Sequence, residues 1–230
     1  MDNLTTNKFV LRAMEALTGQ IVYFGVNKRF LRFDASEGGL IEDETPNGNH
    51  ARIALIGKQH YTEIKKSYPI QSKRELKQIL MLEYPTSDLS FCFFTINDFQ
   101  DGARKVTVWQ MKIDLQSELG VNAGVIIPEG ALINEALKDK SMLALHFEAS
   151  NIEHWFYRDQ NGQHYSGAKQ GLIQSAERFL ASVGIAETID VEQLNWKQYI
   201  QFLQTHLPSF LLQSGSRFVY THTSARPDFS

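Results

Sequence analysis

The chain has 230 residues, of which 43% are hydrophobic and 21% are charged, and this is the composition of an ordinary globular protein. A formal net charge of -3 gives no strong positive field, which argues against nucleic acid or anionic lipid as the main partner. With Cys92 as its one cysteine the chain cannot form an intramolecular disulfide, and no stretch approaches the roughly 20 apolar residues that span a bilayer. We therefore expect a protein of a reducing cytoplasm.

The first part of the chain predicts a helix followed by antiparallel strands. Apolar residues recur at helical spacing over 5–18. Two β-rich runs, 20–26 and 29–34, are separated by a turn at Asn27 and predict a hairpin. The acidic, glycine-containing stretch 37–49 predicts a loop.

Two further strands and a capped helix follow. The strands are predicted at 52–56 and 61–66. Ser72 and Glu75 have the spacing of a capping box, in which the hydroxyl accepts from an amide of the first helical turn. The helix is expected to end near Tyr84, which precedes a proline.

The centre of the chain predicts a buried strand pair and a return to alternating elements. The continuous apolar run at 90–96 is typical of a strand buried on both faces, with 105–109 as its partner. A short helix at 114–120, a strand at 123–127 and a helix at 128–137 follow.

The last part predicts a strand pair within 143–158 and a strong helix at 172–183. Asp190 is predicted to cap one more helix, which Pro208 ends or bends, and 217–221 predicts a last strand. Because strands and helices alternate, the order favours a mixed α/β (α+β) protein over a sandwich or a bundle.

One ordered set of features resembles a known family. Between about residues 50 and 185, a Tyr-Pro-Ile turn at 68–70 precedes a helix, and a strand runs into Ile-Pro-Glu-Gly-Ala-Leu-Ile at 127–133. This order resembles the actin-like cytoplasmic subunits of type IV pilus and type II secretion machines, the PilM and GspL type. Taken alone, Pro128 and Glu129 are equally explained as the first turn of a helix, where proline fits and glutamate complements the dipole.

The resemblance implies an actin-like (ribonuclease H-like) fold, with two lobes of mixed sheet flanked by helices. It divides residues 1–230 into lobes at about 1–120 and 121–223, with 224–230 as a tail or linker. It also implies an assembly ATPase and inner-membrane assembly proteins as partners, at the inner face of the inner membrane. Membrane association through those partners or through a missing segment stays open, as does a homodimer.

The same resemblance raises the question of ATP. An actin-like site would use two hairpin turns with glycine and aspartate, so that amides approach phosphate and a carboxylate holds Mg²⁺. The first candidate turn offers Gly25, Asn27 and Lys28 without an aspartate, and the second offers Glu148 and Ser150 without a glycine. These departures predict a degenerate site and no cofactor, with ATP and Mg²⁺ as the alternative.

No other grouping predicts chemistry. Cys92 lies among phenylalanines and is expected to pack as a small hydrophobe. His146, Glu148, His154 and His164 match no zinc spacing, so no metal site is predicted. No serine has a nucleophile-elbow context, and no catalytic residue is predicted. The two functional hypotheses are a non-catalytic interaction scaffold and, as the alternative, an ATP-binding actin-like switch or nucleotide-dependent enzyme.

Overall fold

A computed structural model describes the chain in thirteen ranges, with gaps between them. The described residues are 20–25, 27–44, 50–85, 90–112, 122–137, 141–147, 152–159, 163–170, 178, 180–182, 184, 190–214 and 218–220. The predicted helices at 5–18 and 114–120, most of the one at 172–183, the tail at 224–230, and Glu148 and Ser150 lie outside them. No helix in these ranges has the length and apolar character needed to cross a bilayer.

The described elements are strands, three α-helices and one 3₁₀ turn. In chain order the strands are β1 (Ile21–Phe24), β2 (Lys28–Asp34), β3 (Gly39–Glu42), β4 (His50–Ile56), β5 (Tyr61–Tyr68), β6 (Ser90–Gln100), β7 (Ala103–Lys112), β8 (Asn122–Pro128), β9 (Ser141–Phe147), β10 (Ile152–Arg158), β11 (His164–Gln170), β12 (Asp190–Leu194) and β13 (Phe218–Tyr220). The helices are α1 (Lys73–Glu83), α2 (Glu129–Ala136) and α3 (Trp196–Ser214), and the 3₁₀ turn spans Lys58–His60.

The chain divides into two compact units. Unit 1 comprises Met1–Gln59 and Leu119–Leu212, and unit 2 comprises His60–Glu118 and Gln213–Ser230. Unit 2 is thus an insertion between β4 and β8, completed by the end of the chain. The lobe boundaries expected from the sequence stay a prediction.

Unit 1 contains two sheets built on one strand pattern. The first has the order β3-β2-β1-β4-β8, with an antiparallel meander over β1–β3, β4 parallel to β1 and β8 parallel to β4. The second has the order β11-β10-β9-β12, with a meander over β9–β11 and β12 parallel to β9. This repeated mixed sheet, order three-two-one-four, confirms the predicted α/β, actin-like fold class.

Unit 2 is a four-stranded antiparallel sheet covered by one helix. Its order is β13-β6-β7-β5, and the predicted pairing of the apolar run with its partner strand is confirmed. Leu76 and Leu80 of α1 are completely buried against the sheet, in a cluster that includes Cys92 and Phe94. The predicted cap is also confirmed, because the hydroxyl of Ser72 accepts from the Glu75 amide.

Two predictions at element level were wrong, and one of the two alternatives for Pro208 is excluded. The stretch 37–49 is not all loop, because Gly39–Glu42 forms β3 at the edge of the first sheet. Asp190 does not cap a helix: it begins β12, and Asn195 caps α3 by accepting from the Gln198 amide at 3.0 Å. Pro208 does not end α3, which continues to Ser214.

The first sheet carries α3 against its meander. Tyr199, Leu203 and Leu207 of α3 are buried. The side-chain amide of Gln204 accepts from the Leu40 amide and donates to the Gly38 carbonyl, so it serves two backbone groups next to β3. The contact adds to the pairing of β3 with β2 and links this edge strand to α3.

Candidate functional site

A fully buried carboxylate marks the interior of unit 1. Glu129 is the first residue of α2 and follows the apolar β8, and its side chain is 0% exposed. Burying an ionised carboxylate costs several kcal/mol unless hydrogen-bond donors surround it. The partners of Glu129 therefore decide what this site can do.

Donors from three separate parts of unit 1 converge on Glu129. The hydroxyl of Tyr23 donates to Oε1 at 3.0 Å, and the backbone N–H of Lys58 donates to Oε2 at 3.2 Å. The Nδ1 atom of His154, also 0% exposed, lies 2.9 Å from the same Oε2. Because a carboxylate can only accept, this contact places a proton on Nδ1 of the imidazole.

The network joins the two sheets of unit 1. Tyr23 belongs to β1 of the first sheet, and Lys58 follows β4 of the same sheet. His154 belongs to β10 of the second sheet. The carboxylate also lies at the N-terminus of α2, where the helix dipole favours negative charge. Glu129 thus acts as an internal cross-link between elements that are far apart in sequence.

Two glycines allow the backbone to come close to this network. The Gly57 amide donates to the Phe24 carbonyl at 2.8 Å. A Cβ on Gly57 would lie 2.8 Å from the Gly25 Cα and 3.1 Å from Cε1 of His154. A Cβ on Gly25 would lie 2.3 Å from the Tyr23 ring. The two turns therefore pack against each other with no space for a side chain.

Aromatic residues of α3 cover the ring of Tyr23. The ring centroids of Trp196 and Tyr199 lie 5.1 and 5.8 Å from it. The indole N–H of Trp196 donates to Glu42 at 2.8 Å, and the guanidinium of Arg29 lies 4.5 Å from the indole. These contacts hold α3 over the start of the first sheet.

The residues predicted as a nucleotide site are only partly brought to this place. Gly25 is buried beside Tyr23, whereas Asn27 and Lys28 are exposed, and the Lys28 ammonium lies 5.4 Å from the Phe30 ring. Because Glu148 and Ser150 lie outside the described residues, the predicted set as a whole stays a prediction.

Sequence reasoning missed the acidic residue at the centre of the site. Glu129 was expected to complement the dipole of α2, and its position fits that role, but its burial and its three donors were not foreseen. One signal was present: Glu129 is the only charged residue in the otherwise apolar and small-residue stretch 125–133. A carboxylate in such a run is buried, and buried carboxylates need partners.

Two further candidate chemistries concern a metal ion and the thiol of Cys92. Among the described residues, no three His, Cys, Asp or Glu side chains lie close enough to hold a metal ion. Cys92 is 2% exposed, and burial raises the pKa of its thiol to about 11. The thiol thus packs as a small hydrophobe, as predicted.

Comparisons with known proteins give a distant likeness to solved structures, of which one is described below. No protein-family description matches the chain, and no curated protein matches it. A solved structure from Bacteroides thetaiotaomicron, described as a protein with an actin-like ATPase fold and unknown function, is similar over 86% of this chain and 91% of its own. The identity is 9% and the TM-score 0.41. The fold assignment rests on the strand order of the two sheets in unit 1.

Proposed function

We propose that this protein is a non-catalytic scaffold that binds other proteins on an actin-like frame. The observation that carries the proposal is the Tyr23–Glu129–His154 network. A carboxylate between the two sheets of unit 1 is used to hold the frame together rather than being presented to a ligand. By the family resemblance, the partners are an assembly ATPase and inner-membrane assembly proteins of a pilus or type II secretion machine.

Mg²⁺ and ATP fit the described residues poorly. A phosphate at the turn after β1 would need accessible amides and a carboxylate that holds Mg²⁺ through water. Here the Tyr23 ring fills the space beside Gly25, and both Glu129 oxygens already accept from protein donors. No catalytic step is therefore derived through nucleotide.

The alternative is an ATP-dependent switch on the same frame, and one observation favours it. Gly25 and Gly57 bring two backbone turns together beside a buried acid, which is an arrangement that ligand-binding loops also use. In that version the network would have to open to admit nucleotide.

Two measurements separate these functions. Binding of the purified chain to the assembly ATPase and the inner-membrane assembly proteins of its own organism tests the scaffold, and absence of binding to all of them would overturn the proposed partners. Differential scanning with Mg-ATP tests the switch. A ligand at 100 times its dissociation constant stabilises by about 2.7 kcal/mol, or roughly 5–11 °C for a chain of this size. The scaffold predicts no such shift at millimolar ATP.

A further inference from the structure

The two sheets of unit 1 share an order of four strands, and the first sheet has a fifth strand, β8, next to β4. In the first sheet β4 lies between β1 and β8, and both neighbours are parallel to it. In the second sheet β12 occupies the equivalent place beside β9. Among the described residues no strand pairs with the outer edge of β12. Within the described residues the second sheet therefore has one strand fewer than the first.

The strand with two neighbours, β4, is buried, whereas β12 at the edge is mostly exposed. Ile53, Ala54, Leu55 and Ile56 of β4 are 0–1% exposed. In β12, by contrast, residues 191–193 are all exposed, and Val191 is one of the few large apolar side chains of the described residues with substantial exposure, at 36%. An outer edge of this kind presents backbone N–H and C=O groups to whatever extended segment approaches.

We propose that the outer edge of β12 is a docking site for an extended segment of a partner protein, which adds as the fifth strand of the second sheet. Strand addition at an exposed edge is an established mode of peptide recognition, in which main-chain hydrogen bonds give affinity and alternate side chains give specificity. The inference deepens the proposed scaffold function and rests on it, because it names the surface that a partner covers.

The side chains of β12 define the chemistry of this segment. Val191 of β12 lies opposite Met142 of β9. Met142 belongs to a buried cluster with Trp155, Tyr157 and Leu180. An apolar side chain of the partner would therefore extend this cluster. Successive residues of a strand face opposite sides of the sheet, so Glu192 lies on the other face. The partner strand then carries basic residues opposite Glu192 and apolar residues opposite Val191, in alternation.

Charge argues against a second copy of this chain as the occupant. If the β12 strands of two copies paired antiparallel and centred on Glu192, the Glu192 side chains of the two copies would lie opposite each other. Like charges directly opposite each other in a sheet are destabilising. A basic segment of a different protein removes that repulsion.

The test uses the full chain and a short acetylated peptide of alternating lysine and valine, with a matched peptide in which glutamate replaces lysine. Hydrogen exchange followed by mass spectrometry locates protection, and peptide fluorescence anisotropy measures affinity. We expect the lysine peptide to slow exchange over 190–194. Glu192→Lys should weaken the lysine peptide by about fivefold or more and strengthen the glutamate peptide, because it turns a cross-strand attraction into a repulsion.

Glu44→Lys is the matched control, since it makes the same charge change at an exposed position beside the first sheet. It should leave both affinities unchanged. No protection over 190–194 at millimolar peptide, or equal effects of the two charge reversals, would overturn the docking site. A concentration-dependent dimer protected at β12 without peptide would assign the edge to a second copy instead. These peptide results are independent of the melting-temperature shift with Mg-ATP. A shift with Mg-ATP would overturn the scaffold function itself.

Discussion

Replacing Glu129 by alanine tests whether the buried network holds unit 1 together. The substitution removes the acceptor of three hydrogen bonds and leaves the Tyr23 hydroxyl, the Lys58 amide and the His154 Nδ1–H without it. Each lost hydrogen bond to a charged group costs about 1.5–3 kcal/mol, and losses at one shared carboxylate are not fully additive. We expect a loss of about 3–5 kcal/mol in the free energy of unfolding.

That loss is large beside the ~5–15 kcal/mol by which native proteins are stable. Urea unfolding measures it. Tryptophan emission reports on both units, because Trp155 and Trp196 lie in unit 1 and Trp109 lies in unit 2. Far-ultraviolet circular dichroism then checks whether the two units unfold together, as a single free energy requires.

Tyr23→Phe is the graded companion of this variant. It removes one neutral donor and keeps the ring that Trp196 and Tyr199 contact, so it should cost about 1–1.5 kcal/mol. In a Glu129→Ala background, Tyr23→Phe should lower the free energy of unfolding by much less than it does in the wild type, because the acceptor of the Tyr23 hydroxyl is already absent. A Glu129→Ala variant within about 0.5 kcal/mol of the wild type, the range of an ordinary surface substitution, would refute the reasoning.

Three smaller predictions follow from other sites. Burial lowers the pKa of His206 below its ordinary value of about 6.5, so the unfolded chain binds the extra proton first. The free energy of unfolding should therefore fall as the pH is lowered from about 6.5 toward the lowered pKa of His206. In the His206→Gln variant, the urea midpoint should change less with pH over the same range. With a thiol pKa of about 11 instead of 9.0, Cys92 should form roughly 100-fold less thiolate at pH 8, and a disulfide reagent should label it slowly until urea unfolds the chain. Gly57→Ala forces a Cβ to within 3.1 Å of His154 and closer still to backbone, and should cost about 1–3 kcal/mol by urea unfolding.

Each of these has a contradicting result. A midpoint titration that the His206 variant leaves unchanged would mean that its burial is not coupled to folding. Labelling of native Cys92 at the rate of the unfolded chain would mean that the thiol is accessible. A Gly57→Ala variant as stable as the wild type would mean that the two turns do not approach as closely as described.

Local patterns predicted the elements whose causes are local. The hairpin at β1 and β2 follows from β-rich runs around a turn, and the start of α1 follows from Ser72 and Glu75. The apolar run of β6 predicted a buried strand, because no polar residue alternates with Cys92, Phe93 and Phe94, and all three are buried.

The failures have causes that the local sequence patterns did not show. Residues 190–194 form a strand because β9 offers a parallel partner, and no nearby residue announces that pairing. β3 pairs with β2 despite its glycine-containing, acidic sequence, and Gln204, 164 residues away, also accepts from the Leu40 amide. Asn195, three residues before Gln198, caps α3 in place of Asp190, although the side chains of both residues have an oxygen that can accept.

The candidate site could be predicted only in part for the same reason. Gly25 stood out as a turn glycine, whereas Tyr23 and Glu129 are 106 residues apart, and His154 joins them from the other sheet. The apolar setting of Glu129 indicates burial, but the sequence does not say which donors surround the carboxylate. The proposed place for a fifth strand beside β12 likewise emerges only once both sheets are compared.

The most direct test of the account is a calorimetric titration of the purified chain with Mg-ATP at millimolar concentration. If the carboxylate of Glu129 serves the frame, the titration gives no saturable heat. Saturation at one nucleotide per chain, abolished in Glu129→Gln and retained in Glu44→Gln, would show that the acid serves a ligand and would contradict the scaffold.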